Sequence, residues 1–299
     1  MTMFRTRRAT IAARFEGEDE ARRPRDVSGI VRGAEPFRLT GVNGIAVLLL
    51  HGFNDTPQSM RYLASALHGV GYTVDVPRLP GHGGSLAELA RDGHADNWRT
   101  HVRGAYAELR ATHRIVHLCG QSMGGALALL QAHETPDQRA LVLLAPYLGM
   151  PFGLWWQTYA AAVLQWVTPY QRSRGAEHSI HDPEARAQAL GPGIVTAEAL
   201  AGLRTIAQAA HRALPTLTVP TLYLQSREDN RIAAADAARY FARIGSAVKE
   251  QRWLTGCGHI ISADYCRDTV FEATRDWFRR FEDGLQDGHG DGVDGSASD

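Results

Sequence analysis

Short, wholly apolar runs alternate along the chain with longer stretches in which apolar residues recur at helical spacing. The run at 46–50, AVLLL, is followed by Gly52 and is typical of a strand buried on both faces of a parallel sheet. Pro57 comes soon after it, and proline is tolerated in the first turn of a helix. The pattern predicts strands at 46–50, 72–76, 115–119, 140–144, 221–224 and 248–254, and helices at 56–68, 97–112, 123–133, 233–244 and around 270–281.

This alternation of strands and helices predicts an α/β fold, with a mostly parallel central sheet and helices on both of its faces. In such sheets the chemistry lies at the carboxyl ends of the strands. Candidate functional residues are therefore sought directly after the predicted strands.

Three stretches depart from the alternation and divide the chain. Residues 1–34 are polar, rich in Arg and without periodicity, so we expect a flexible leader. Residues 284–299 are rich in Gly and Asp and predict a disordered tail. The insert at 147–213 begins just past a strand and holds three of the 6 Trp residues, which predicts a helical cap or lid late in the sheet. The core would then comprise 35–146 and 214–283.

A candidate nucleophile follows the third predicted strand. Residues 120–124, GQSMG, match the nucleophile elbow G-x-S-x-G, in which a tight turn between strand and helix exposes the serine. The residues two positions before and after Ser122 must be small, and Gly120 and Gly124 meet that need. A phosphate-binding turn is disfavoured because its glycine spacing and its Lys-Ser/Thr ending are missing. The hypothesis is a nucleophilic serine, with a glycine-rich turn of no activity as the alternative.

A serine hydroxyl needs a base to take its proton and an acid to orient that base. On this fold the chain order is serine, acid, histidine. Asp229 lies just past the strand at 221–224 and is the candidate acid, with the adjacent Glu228 as the alternative. Among the 13 His residues, His259 lies just after the final strand, behind small residues, and is the candidate base.

Acyl transfer also requires N–H donors for the oxyanion that develops on the substrate. The expected donors are the residue after the nucleophile and a residue in the loop after an early strand. Met123 and Phe53 hold these two positions. His51, beside Phe53, is interpreted as a residue that braces the loop.

With these residues placed, the chain resembles the α/β-hydrolase superfamily and, within it, bacterial carboxylesterases and monoacylglycerol lipases. The resemblance implies hydrolysis of carboxylic esters without a cofactor or a metal. It also implies Ser122 as nucleophile, Asp229 as acid and His259 as base, with Phe53 and Met123 as oxyanion donors. The matching stretches are VLLLHGFNDTPQSMRYLASALHGVGYTVDVPRLPGHG (47–83), GQSMGG (120–125), SREDNRI (226–232) and GCGHIISAD (256–264).

The aromatic residues of the insert bear on the substrate. An apolar, Trp-rich lid favours an acyl chain of short to medium length, or a monoacylglycerol. Trp155, Trp156 and Tyr159 are the candidate substrate contacts, and packing of the lid onto the core is the alternative for each.

Composition narrows the partners. Lys+Arg and Asp+Glu both number 32, so the formal net charge is zero, whereas nucleic-acid binders carry a basic excess. No stretch approaches 18 uninterrupted apolar residues, so we expect no stable membrane insertion and a cytoplasmic location.

Three cysteines, Cys119, Cys257 and Cys266, do not make a disulfide framework and are interpreted as buried thiols. We expect no metal site, because no C-x-x-C or H-E-x-x-H motif occurs.

Several functions besides ester hydrolysis are compatible with the fold. An acyltransferase, a C–C hydrolase or a cofactor-free haloperoxidase would use the same triad. Haloalkane dehalogenases and epoxide hydrolases are disfavoured, because they would carry Asp in place of Ser122. A non-catalytic binding module is a further alternative, and so is an interfacial lipase whose lid docks on membranes through Phe152, Leu154, Trp155 and Trp156. The oligomeric state stays open.

Overall fold

The predicted apolar runs lie side by side in one sheet. The computed structural model describes residues 2–135, 137–149, 168–173 and 178–282. Within them the strands are β1 (Phe37–Leu39), β2 (Ile45–Leu50), β3 (Thr73–Val76), β4 (Ile115–Gln121), β5 (Leu141–Leu144), β6 (Gln171–Arg172), β7 (Ile194–Val195), β8 (Thr221–Ser226) and β9 (Lys249–Leu254).

Seven of these strands form the central sheet in the order β1-β3-β2-β4-β5-β8-β9. Every neighbouring pair in this sheet is parallel except β1 with β3. Leu50 pairs with Gly120, and Leu144 pairs with both Gln121 and Leu224. The carboxyl ends of β2, β4, β5 and β8 are therefore nearly level, and the loops that follow them meet at one end of the sheet, beyond the carboxyl ends of its strands.

Helices cover both faces of the sheet, so the α/β fold predicted from the sequence is confirmed. One face is covered by α4, α5, α7 and α8, and the other by α2 and α9. The bounds are α1 (Thr2–Arg22), α2 (Arg61–Gly69), α3 (Leu86–Asp92), α4 (Ala95–Thr112), α5 (Met123–His133), α6 (Pro183–Ala187), α7 (Ala197–Ala213), α8 (Ala234–Arg243) and α9 (Arg267–Arg279).

The apolar sequence of β2 follows from this layering. Along β2, Leu48 and Leu50 pack into one core cluster, while Val47 and Leu49 pack into the cluster on the opposite face. All four side chains are fully buried. β2 is buried on both faces and carries only apolar residues. The equally buried β4 also holds His117 and Gln121, so apolarity is the tendency of these strands and not a strict rule.

Two elements of the core were not predicted from the sequence. β1 has only three residues at the sheet edge, which is too short for a recognisable pattern. α3 does carry a signal, because Ser85 accepts a hydrogen bond from the amide of Glu88 (3.0 Å) at the helix start. Ser and Glu three residues apart are the capping-box pattern, and it could have located this helix.

The prediction of a flexible leader at 1–34 is wrong for the stretch that forms α1. Asp19 is buried and accepts hydrogen bonds from Arg23 (2.8 Å) and Arg25 (2.7 Å). Arg23 also donates to the carbonyl of Leu190 (3.0 Å), and the Phe15 ring lies 6.0 Å from that of Tyr170. These contacts are mostly between charged or polar groups, and several of their partners lie more than 150 residues away along the chain. The leader therefore shows no apolar periodicity that would predict a packed helix.

The predicted insert at 147–213 extends too far toward the carboxyl end. Helix α7 packs in the core through Leu203, Ile206 and Ala210, so it belongs to the layers of the fold. The described parts of the insert before α7 include the short antiparallel pair of β6 with β7 and the helix α6. The candidate lid residues Phe152, Leu154, Trp155, Trp156 and Tyr159 lie outside the described residues, as does the tail at 284–299.

The cysteine interpretation needs a correction. Cys257 and Cys266 form a disulfide, whereas Cys119 is a buried thiol as predicted. The chain turns back between β9 and α9 and brings the two Cα atoms to 5.9 Å. Sequence spacing alone does not reveal such a turn.

Across the described ranges, no helix is both long enough and apolar enough to span a bilayer.

The carboxylate of Asp19 should decide whether α1 stays docked. In Asp19→Ala the buried guanidinium group of Arg23 and the partly buried one of Arg25 would be left without their counter-ion, and an uncompensated buried charge typically costs about 3 kcal/mol or more. We expect a loss of that size in the free energy of unfolding in urea, with faster amide exchange over 2–22. Glu18→Ala is the matched control on the same helix, because its partners Arg14 and Arg172 are exposed. Equal losses in the two variants would contradict this account.

Candidate active site

Ser122 occupies a strained turn between β4 and α5. Its φ is 55° and its ψ is −117°, a left-handed conformation that is rare outside glycine. Its amide donates to the carbonyl of Leu144 (2.9 Å), and its own carbonyl accepts from the amide of Tyr147 (3.0 Å). These bonds on both sides hold the turn against the end of β5.

The flanking glycines make the turn sterically feasible. A Cβ atom on Gly120 would lie 2.2 Å from the carbonyl oxygen of Gly124, and one on Gly124 would lie 2.2 Å from that of Leu50. Both obstacles are backbone atoms that no side-chain rotation can relieve. The helix can therefore lie against the sheet only because these two positions lack side chains.

The three residues predicted as a triad meet at the carboxyl ends of the strands. His259 Nε2 lies 2.9 Å from Ser122 Oγ, and His259 Nδ1 lies 2.8 Å from Asp229 Oδ2. Because an ionised carboxylate can only accept, Nδ1 carries the proton and Nε2 is left to accept from the serine hydroxyl. This is the geometry that an activated serine requires.

Asp229 is held as an anion by its surroundings. Its side chain is inaccessible to solvent, and burial alone would raise its pKa. The attraction and hydrogen bond of His259, with the amides of Arg231 (2.7 Å) and Ile232 (2.9 Å), outweigh burial and hold the pKa of Asp229 below its ordinary value. The alternative acid, Glu228, accepts instead from the amide of Gly256 (2.6 Å) and is half exposed.

The loop after β2 lies directly beside Ser122. A Cβ atom on Gly52 would come within 3.3 Å of the Cβ of Ser122, and Phe53 follows it. Met123 is the first residue of α5, so its N–H has no acceptor within the helix. His51 is buried, accepts from the amide of Leu79 (3.1 Å) and contacts the carbonyl of Gly52 (2.9 Å). It braces the loop in the way that the sequence predicted.

Asp55 is a buried carboxylate that the sequence analysis missed. It accepts from Ser59 Oγ (2.6 Å) and from the amide of Thr56 (2.8 Å), and the amide of Gly52 lies close enough to interact. Burial is the largest influence and raises the pKa of Asp55 to about 6, although these donors and His259 act in the opposite direction. The available signal was an acidic residue just before Thr56-Pro57, which is equally typical of a helix cap.

A second missed feature is the chain at 178–192, which we call the bridging segment. Near its start, the carbonyl of Ser179 accepts from the amide of Ile260 (2.9 Å), one residue after His259. Near its end, a Cβ atom on Gly191 would lie 2.2 Å from the carbonyl oxygen of Asn54. The bridging segment therefore joins the loop of the candidate base to the loop of the candidate oxyanion donor.

The proposed substrate contacts cannot be placed in this site, since Trp155, Trp156 and Tyr159 lie outside the described residues. Within the described residues, no group of three or more His, Cys, Asp or Glu side chains is arranged to hold a metal ion.

The chain is similar in sequence to known hydrolases. A family model described as serine aminopeptidase, S33, matches residues 43–265. A thermostable monoacylglycerol lipase from Bacillus sp. (strain H-257) is 32% identical over 252 residues, which cover 84% of this chain and 96% of that protein. A carboxylesterase from Bacillus subtilis (strain 168) is 25% identical over 249 residues, 83% of this chain and 97% of the relative.

Solved structures share the fold. A metagenome-derived lipolytic enzyme superposes with a TM-score of 0.76 at 30% identity, covering 84% of this chain and 99% of its own. A monoacylglycerol lipase from Paleococcus ferrophilus gives a TM-score of 0.70 at 21% identity, covering 83% of this chain and 100% of its own.

Placing a methyl group at the elbow should disrupt both fold and site. In Gly124→Ala the new Cβ meets the backbone of β2, so we expect a loss of about 3 kcal/mol in the free energy of unfolding. Gly104→Ala is the control, because a Cβ there has no atom within 4 Å on the exposed side of α4. That variant should gain about 0.5–1 kcal/mol. Similar effects of both substitutions on thermal or urea unfolding would refute the steric account.

The raised pKa of Asp55 predicts a pH-dependent term in stability. The folded state holds this proton more tightly than the unfolded chain, so the term favours folding below pH 4 and is lost as the pH rises from about 4 to about 6. Asp55→Asn removes the titrating carboxyl group and, with it, this pH-dependent contribution to stability. The free energy of unfolding of the wild type, relative to the variant, should therefore fall by up to about 3 kcal/mol across that window. Urea titrations between pH 4 and 7 measure the difference, and a constant difference would be inconsistent with the shift.

Proposed function

We propose that this chain, which belongs to the serine aminopeptidase S33 family of α/β-hydrolases, hydrolyses carboxylic esters through an acyl-enzyme on Ser122. It is a hydrolase of the carboxylesterase and lipase type. The observation that carries the proposal is the pair of hydrogen bonds that links the three side chains. Ser122 Oγ lies 2.9 Å from His259 Nε2, and His259 Nδ1 lies 2.8 Å from Asp229 Oδ2. The curated relatives named as a monoacylglycerol lipase and a carboxylesterase support the same chemistry.

In the first half of the reaction, Ser122 Oγ attacks the ester carbonyl carbon and its proton passes to His259 Nε2. The imidazolium that forms is stabilised by the carboxylate of Asp229. Negative charge develops on the carbonyl oxygen, where we assign the N–H groups of Phe53 and Met123 as donors. Loss of one such donor typically lowers turnover by about 10²–10³-fold.

The tetrahedral intermediate then collapses, and His259 returns the proton to the departing alcohol. Water enters, loses a proton to the same imidazole and attacks the acyl carbon, which releases the acid and restores the Ser122 hydroxyl.

For the substrate we propose esters with short to medium acyl chains, including monoacylglycerols. The support is the apolar, Trp-rich composition of the insert together with the names of the relatives. Trp155, Trp156 and Tyr159 remain the proposed contacts for the acyl chain.

The compartment is a separate proposal. A cytoplasmic location is what the sequence predicts, and it stays a prediction. The disulfide between Cys257 and Cys266 points the other way, because disulfides persist mainly in oxidising compartments.

Hydrolysis of p-nitrophenyl esters from acetate to palmitate, and of the matching 1-monoacylglycerols, tests the proposal. Ser122→Ala should lower turnover by about 10⁶-fold, because the nucleophile is lost. Ser246→Ala is the matched control, since Ser246 is also buried but precedes β9, at the amino ends of the strands. It should retain full activity. Turnover that survives in Ser122→Ala would refute the assigned nucleophile, and a preference for palmitate over shorter chains would refute the proposed chain length.

A further inference from the structure

Asp264 is a fully buried carboxylate on the loop that carries His259. Its Oδ2 accepts from the amides of Gly258 (2.7 Å) and His181 (2.8 Å). Its Oδ1 accepts from the amides of Asp182 (2.9 Å) and Tyr265 (2.8 Å). Four backbone donors thus converge on one side chain from two separate parts of the chain.

Asp264 is stabilised in its charged form by these donors. Burial is the largest influence and alone would raise the pKa of Asp264, but the amides of His181, Gly258, Asp182 and Tyr265 outweigh it and hold the pKa below its ordinary value. Hydrogen bonds from N–H groups to an ionised acceptor are stronger than those between neutral groups. The carboxylate is therefore a strong connection between the chain stretches that it touches.

One of those stretches determines where the imidazole lies. Gly258 immediately precedes His259, and the disulfide between Cys257 and Cys266 closes the loop that contains both His259 and Asp264. In addition, Gln121 Nε2, one residue before the nucleophile, donates to the carbonyl of His259 (2.9 Å). A loop so short and so restrained transmits a displacement at Gly258 directly to the imidazole.

The other stretch is the start of the bridging segment. His181 and Asp182 follow Ser179, whose hydroxyl accepts from Arg231 Nε (3.2 Å) and contacts Asn230 Oδ1 (3.2 Å) on the loop of Asp229. Further along, the bridging segment reaches the carbonyl of Asn54. Its position is therefore coupled to the loops of all three proposed catalytic functions: base, acid and oxyanion donor.

We propose that Asp264 is a positioning residue that joins the loop of His259 to the bridging segment, so that the base is correctly placed only while the segment is docked. This inference rests on the proposed function, since it takes His259 as the base. A general base must lie within hydrogen-bond distance of the proton that it takes. Asp264 acts through Gly258 on that distance and does not touch the reacting atoms.

The test is Asp264→Asn, which keeps the size of the side chain but turns an NH₂ group toward two of the four amides. We expect turnover to fall by about 10²-fold with little change in KM, because a small misplacement of the base slows chemistry rather than binding. Labelling of Ser122 by a small fluorophosphonate should slow to a similar extent. Amide exchange at 179–182 and at 257–260 should accelerate together.

Asp26→Asn is the matched control. Asp26 is also a carboxylate that accepts from backbone amides, those of Ser28 (2.8 Å) and Ile30 (3.1 Å), but it lies outside the bridging segment and outside the loop of His259. We expect it to lower thermal stability slightly and to leave turnover and labelling unchanged. A purely structural role for Asp264 would give the same result in Asp264→Asn, with lower stability and unchanged turnover, and would overturn the proposal.

A measurement on the wild type covers the case in which Asp264→Asn does not fold. Amides that share one acceptor should open together, so the exchange rates of His181, Asp182 and Gly258 should report the same opening free energy once corrected for their intrinsic rates. If the amide of Gly258 opened independently of those of His181 and Asp182, the proposed connection through Asp264 would be overturned. Failure of the proposed function is distinguishable, because the wild type would then neither hydrolyse esters nor react with the fluorophosphonate, whatever its exchange rates show.

Discussion

Ser122 leaves the sheet with a φ of 55°, and a residue with a side chain holds such a conformation only where its surroundings permit no other. The surroundings here are backbone atoms. Gly120 and Gly124 bring α5 into contact with the ends of β4 and β2, and the Ser122 amide and carbonyl are bonded to Leu144 and Tyr147. The turn is therefore held by a parallel sheet whose strands end nearly level, and the same register places the loops that approach Ser122.

Buried carboxylates are the second organising theme, and each one is matched by donors. Asp229 accepts from an imidazole, two backbone amides and the side-chain amide of Gln225. Asp264 accepts from four backbone amides, and Asp19 accepts from the guanidinium groups of Arg23 and Arg25. Asp55 has three uncharged donors, the Ser59 hydroxyl and the amides of Thr56 and Gly52, but burial outweighs them and raises its pKa to about 6. An unpaired buried charge costs several kcal/mol, so these sites also restrict the chain to one arrangement of its loops.

The bridging segment shows how the site is enclosed by parts of the chain remote in sequence. The end of helix α1 and the residue after it hold the far end of this segment, because Arg22 donates to the carbonyl of Pro192 and Arg23 donates to that of Leu190. Asp264 holds its start. The amino-terminal helix is thereby connected through 178–192 to the loops around Ser122, although none of its own described side chains is assigned to the chemistry.

The sequence by itself determined the α/β architecture and six of the central strands, and it pointed to Ser122 and His259 and to the pair Glu228 and Asp229 as candidates for the site. It could do so because these features are local: a strand buried on both faces is rich in apolar residues, and a tight elbow requires glycine at fixed distances. Only the tertiary structure decided between Asp229 and Glu228, paired Cys257 with Cys266 and docked α1 onto the bridging segment. It also revealed Asp55 and Asp264 as buried carboxylates. The physical reason is that these outcomes depend on which polar groups meet across turns and long loops, and a pairing of that kind leaves no periodic trace in the chain.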